Sequence, residues 1–289
     1  MDIRALFFND NDEIRTFWKI LIFILFLSLA ISPLIFINNS YYQFLGAVFL
    51  LIFGLYFNAK YLDKRDFREY GLVFKMGTFS NLLVGVLIGI FSVILMLLIG
   101  RVTRVLTISD LASLQWSLLL LFAFKMFLVS TLEETFFRGY LYTTIYDGFK
   151  SKKRSKKKTF LISLLISSIL FGVAHFNNNN ASVQSIIFLT INGIVWCIPF
   201  AITKNLGLSI GLHFAWNFTQ TFLGFTMSGN KAVNALYHIE NHKSDFISGG
   251  EYGPEAGLLG LMGFVTMLLL SYTYLKRIQK KTLYNTVYN

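Results

Sequence analysis

Apolar residues gather in eight stretches, roughly 17–37, 42–59, 79–100, 116–142, 160–176, 183–203, 206–226 and 256–275, separated by polar segments that are mostly short. At about 1.5 Å per residue, each crosses or nearly crosses a hydrocarbon core about 30 Å thick. Lipid offers no partner to backbone N–H and C=O groups, so each stretch is a predicted helix. The predicted fold class is all-α: a polytopic membrane protein of about eight transmembrane helices around an intramembrane cavity, with 1–289 as one transmembrane domain. The first stretch has no small-residue cleavage pattern near its end and reads as a retained helix rather than a signal peptide.

Composition agrees. Of 289 residues, 55% are hydrophobic and 14% charged, against roughly 25% charged in soluble domains. The net charge of +11 raises nucleic acid as a partner, but the basic residues sit in short loops and not on one soluble surface, so none is expected. With the N-terminus in the cytoplasm, 20 of the 26 Lys and Arg residues fall on the inner side, including the cluster 150–158. Only Arg101, Arg104, Lys231 and Lys243 fall outside, and Lys125 and Arg138 lie within a stretch. This asymmetry places both termini in the cytoplasm and adds attraction to anionic lipid. The expected location is the cell membrane, with multiple passes. Cys197 is the single cysteine; it excludes an intramolecular disulfide and a cysteine-based metal site.

Against this background the polar residues inside the stretches stand out. An ionised side chain at the bilayer centre costs at least about 2.5 kcal/mol, so each is a functional candidate. Glu134 and Arg138 are spaced i, i+4, which predicts a same-face ion pair. Glu133 has no such partner, shares its helical face with Phe137 and Tyr140, and is the candidate general base. His175 ends the fifth stretch, with Phe171 one turn earlier. His213 and Asn217, again i, i+4, project into one cavity, where histidine moves protons and asparagine donates to a developing oxyanion. Gly207 and Gly211 have the spacing of a close helix approach. Segment 227–255 is long and polar and either caps the cavity or connects helices. Taken singly, each pattern also fits packing or an interhelical hydrogen bond.

Together they name a family. Glu133-Glu134-Thr135-Phe136-Phe137-Arg138 is an EExxxR motif, Phe171-Gly172-Val173-Ala174-His175 is FxxxH, and His213-Phe214-Ala215-Trp216-Asn217 is HxxxN. In this order, on separate membrane helices, they resemble the CPBP family of CAAX proteases and bacteriocin-processing (ABI) proteins, whose best-known class is the type II CAAX prenyl endopeptidase. The resemblance covers about 115–270. It implies an eight-helix intramembrane endopeptidase with a cavity open to the cytosolic side. Glu133 and His175 would activate a water, His213 and Asn217 would stabilise the tetrahedral oxyanion, and Glu134, Arg138 and Phe171 would support the geometry.

Family members are often described as metalloproteases, and Glu133, His175 and His213 with a water would make a catalytic zinc site. No HExxH occurs, and the histidines come from different helices, so a metal-free water activated by glutamate is expected, with zinc as the alternative. Helical rise poses a difficulty: counted from the cytoplasmic end, His213 lies about 10 Å deep and His175 about 25 Å deep. Their meeting requires other boundaries, or helices tilted or broken near 204–207.

Heavy use of Asn, Lys, Ile and Phe points to an AT-rich bacterial genome. The expected substrate is then a peptide or membrane-protein segment, such as a bacteriocin or signalling-peptide precursor, with bacteriocin immunity as a role at the family level. Two rival readings remain: a non-catalytic scaffold or regulator of the same fold, and a small proton-coupled transporter, the latter without the internal repeat many transporters carry.

Overall fold

A computed structural model describes residues 3–9, 12–111, 114–151 and 154–288. Lys152 and Lys153 of the basic cluster lie outside them, as do the side chains from 279 onward, including Lys280 and Lys281. The main helices are α1 (Thr16–Ile31), α2 (Ser40–Phe57), α3 (Met76–Val102), α4 (Trp116–Glu134), α5 (Lys156–Ala174), α6 (Val183–Thr203), α7 (Gly207–Leu223) and α8 (Leu258–Tyr288). Among the described residues, seven helical segments are long and apolar enough to cross a membrane. The predicted seventh stretch is α7, a helix of 17 residues that lies inside the bundle with most of its side chains buried. Lipid-facing positions such as Leu29, Phe49, Leu87, Leu120 and Leu269 are apolar and exposed, whereas Ser130, Ser163, Ser209 and Gln220 are buried.

Helix α4 does not stop at Glu134. It continues as a π-helix, Thr135–Tyr142, and then as an α-helical turn, Thr143–Phe149, so the segment runs Trp116–Phe149. A π-helix takes more residues per turn than an α-helix and recurs at functional sites. The wider turn corrects one expectation. Tyr140 does not share a face with Glu133; it packs with Phe23, Leu51, Leu55 and Tyr70 in a separate cluster, and its hydroxyl donates to the Lys19 carbonyl, 3.2 Å away.

The close approach predicted at Gly207 and Gly211 is between α7 and α3. A Cβ on Gly211 would collide with the Leu82 carbonyl oxygen, and one on Gly207 with that of Thr78. Overpacking at such a contact costs about 1–3 kcal/mol. Gly211→Ile is expected to lower the unfolding temperature in detergent by several degrees, read by tryptophan fluorescence.

The bundle carries one element that the helical pattern did not predict. Strands β1 (Leu106–Leu111) and β2 (Tyr237–Asn241) pair antiparallel, with Ile108 opposite Ile239. They lie in the segments after α3 and α7, off the apolar stretches, where water satisfies the open strand edges.

Candidate active site

Three helices bring the site together. Glu133 is the penultimate residue of α4, His175 is the C-cap residue of α5, and His213 and Asn217 lie one turn apart on α7. All four line a cavity of about 480 Å³ with Phe137, Phe171 and Trp196. The Glu133 Oε2 atom stands 3.8 Å from His175 Nε2 and 3.9 Å from His213 Nε2. These gaps are too wide for direct hydrogen bonds and suit a water held among the three groups. Oε2 is buried and accepts no hydrogen bond from the described residues.

The other ring nitrogens are fixed from behind. His175 Nδ1 donates to the Phe171 carbonyl at 2.8 Å, so in the neutral ring the Nε2 lone pair faces Glu133. This bond folds the imidazole back by one helical turn. His213 Nδ1 lies 2.8 Å from Glu134 Oε1, and the same oxygen lies 3.0 Å from Arg138 Nη1. Both side chains of the Glu134–Arg138 pair are almost fully buried. The i, i+4 pair is therefore one part of a three-residue chain that reaches the cavity through His213. Arg138 also donates to the Gly193 carbonyl at 3.2 Å and stacks 4.3 Å from the Phe171 ring.

The mismatch in depth disappears at the α6–α7 turn. Helix α6 ends on Lys204 in the left-handed conformation, and Asn205 and Leu206 are buried. The Leu206 N–H donates to the Gly71 carbonyl, and Asn205 Nδ2 donates to the Thr78 hydroxyl. Helix α7 thus begins beneath the 64–75 segment rather than at the surface, and counting residues from a membrane face misplaces His213.

Several residues at the site carried no signal in the sequence. Trp196 stacks on His213 at 3.9 Å, with 17° between the rings, and read as one more apolar residue of α6. Glu255 is almost fully buried. It accepts from Ser228 Oγ, and from Trp216 Nε1 and Gln220 Nε2 at 3.3 Å each. Burial pushes the Glu255 carboxyl above the usual carboxylate range, against the pull of those hydrogen bonds and of His175. Trp216 thus donates a hydrogen bond as well as packing in the core. Met227, Ser228, Asn230 and Glu255 all line the cavity, so segment 227–255 caps it. Asn178, from the polar turn after α5, lines it too and donates to the Tyr252 hydroxyl at 3.3 Å.

These capping residues lie over the cavity at the His175 end of α5, the end opposite its basic N-terminal residues Lys156, Lys157 and Lys158.

Among the described residues, no group of three or more His, Cys, Asp or Glu side chains is arranged to hold a metal ion. The 3.8 and 3.9 Å gaps exceed the roughly 3.3 Å between ligands of a tetrahedral zinc held at about 2.0 Å.

Comparison with known proteins agrees with the motifs. Residues 115–219 match the family model described as Type II CAAX prenyl endopeptidase Rce1-like. No curated protein and no solved structure matches the chain. The matched segment carries Glu133, His175, His213 and Asn217, and it is similar to the CAAX endopeptidases that its three motifs resemble.

Proposed function

We propose that the chain is an intramembrane endopeptidase in which Glu133 activates a water for attack on a peptide carbonyl. One observation carries this reading: a buried carboxylate oxygen without a hydrogen-bond partner among the described residues, standing 3.8 and 3.9 Å from two imidazole nitrogens. Glu133 takes a proton from the water as its oxygen bonds to the carbonyl carbon, and the His175 Nε2 lone pair accepts the second water hydrogen. The carbonyl oxygen becomes an oxyanion facing Asn217 and His213. With Arg138 against Glu134, the ionised form of Glu134 is charge-balanced. His213 then donates Nδ1–H to it, which fixes the ring beside the oxyanion, and Asn217 Nδ2 donates to the oxyanion. The proton held by Glu133 passes to the leaving amine as the C–N bond breaks. No step needs a metal. The substrate is a peptide or a membrane-protein segment, and bacteriocin processing or immunity is a biological role of that chemistry.

The test is purification in detergent and cleavage of an internally quenched peptide library, with and without a chelator. His175→Ala is expected to lower kcat by about a hundredfold, and chelation to leave it unchanged. Loss on chelation, restored by zinc, would replace the metal-free water with a metal-bound one. Cleavage at wild-type rate in both His175→Ala and Glu133→Gln would remove the assignment. A phenotype that persists in cells when cleavage is lost would favour the scaffold reading.

The basic loops orient the molecule, so the capped end of the cavity, its proposed mouth, faces outward. In a Cys197→Ser background, Asn230→Cys is expected to react with a membrane-impermeant maleimide on intact cells. Ser151→Cys is expected to react only after permeabilisation. The reverse pattern would turn the mouth to the cytosol.

A further inference from the structure

The cavity holds one full cation among its described lining residues, and the proposed mechanism does not use it. Lys125 lies on α4 in the stripe Phe122, Lys125, Val129 and Glu133, all of which line the cavity. Its ammonium sits 5.6 Å from the centre of the Phe44 ring, which also lines the cavity. A lysine in a bilayer-spanning helix is costly to keep and marks function or a partner. The carboxylates on the same cavity are otherwise placed. Glu133 is eight residues along α4, about 12 Å away by helical rise, and Glu255 is held by Ser228, Trp216 and Gln220. The aromatic neighbour supports the ammonium without neutralising it.

We infer that Lys125 is a specificity-determining residue that binds a carboxylate of the substrate, three or four residues from the scissile bond. The spacing follows from geometry. An extended peptide covers about 3.3–3.6 Å per residue, so about 12 Å between Glu133 and Lys125 spans three to four residues. An acidic side chain and a chain-terminal carboxylate present the same chemistry. The inference rests on the proteolytic reading of the cavity. A lysine that only snorkels toward the outer interface would confer no preference.

The test uses internally quenched decapeptides of Leu, Ala and Phe, with a single Glu or Gln moved along the sequence and the C-terminus free or amidated. In the wild-type protein, kcat/KM is expected to be about tenfold higher for Glu than for Gln at one position three or four residues from the cut, as a charge-assisted hydrogen bond supplies. If the terminal carboxylate is the ligand, the same ratio separates free acid from amide. The ratio is expected to fall to one in Lys125→Met, to be kept in Lys125→Arg, and to invert toward Lys peptides in Lys125→Glu. A merely structural lysine would not give that inversion. Binding of the same peptides, dye-labelled, to the Glu133→Gln protein reads the contact without turnover. Hydrolysis with no carboxylate preference would overturn the role of Lys125 and leave the protease. A Kd preference lost in Lys125→Met, on a protein that cleaves nothing, would support Lys125 and remove the protease. Equal Kd values for Glu and Gln peptides would overturn the inference.

Discussion

Glu133→Gln is expected to lower peptide turnover by about a thousandfold, within the 10²–10⁴ range of general-base catalysis, while the protein stays folded. The amide keeps the volume and shape of the carboxylate and loses only its basicity. Its nearest ionisable partners are the two imidazoles at 3.8 and 3.9 Å, so no short ion pair is broken and the unfolding temperature should shift by no more than a few degrees. A single-turnover measurement on a cleaved peptide, beside the thermal unfolding curve, checks both halves. Turnover within tenfold of wild type would make Glu133 a bystander and move the basic role to His175 or His213.

Arg138→Met is expected to remove most of the folded protein. The guanidinium and the Glu134 carboxylate are almost completely buried, 3.0 Å apart. Removing one partner of a buried pair leaves an uncompensated charge and costs about 3–5 kcal/mol, a large share of the stability of a typical domain. The guanidinium also stacks on Phe171 and bonds to Gly193, so α4, α5 and α6 loosen together. Detergent-solubilised yield and unfolding temperature report the loss. Removing the charge on both sides separates electrostatics from packing: Glu134→Gln with Arg138→Met is expected to regain much of the stability without regaining activity, because His213 no longer has its carboxylate. A double variant as unstable as the single one would show that the stacking of Arg138, rather than its charge, holds the helices.

Much of this architecture was legible in the chain because lipid enforces simple rules. Apolar runs of about membrane length must be helices. A buried Glu134 four residues from Arg138 must pair, and His213 must share a face with Asn217. Close approach at Gly207 and Gly211 was legible because only glycine lets two backbones touch. The failures have equally physical origins. Tyr140 was placed with Glu133 by α-helical spacing, which the π-helix over Thr135–Tyr142 breaks. The pairing of β1 with β2 joins segments more than a hundred residues apart, beyond any local pattern. Trp196 and Glu255 reached the site without a motif, one as an apolar residue among others and one in a segment whose role the sequence left open.

The order of polar groups along apolar helices, and the local pairs that 3.6 residues per turn creates, were determined by the sequence itself, since both depend only on neighbours within a helix. The meeting of Glu133, His175 and His213, the buried start of α7, the link from Arg138 through Glu134 to His213, and the cap closed by Glu255 were decided by the tertiary structure. Each depends on how far one helix slides along another, and that is set by packing between residues distant in the chain.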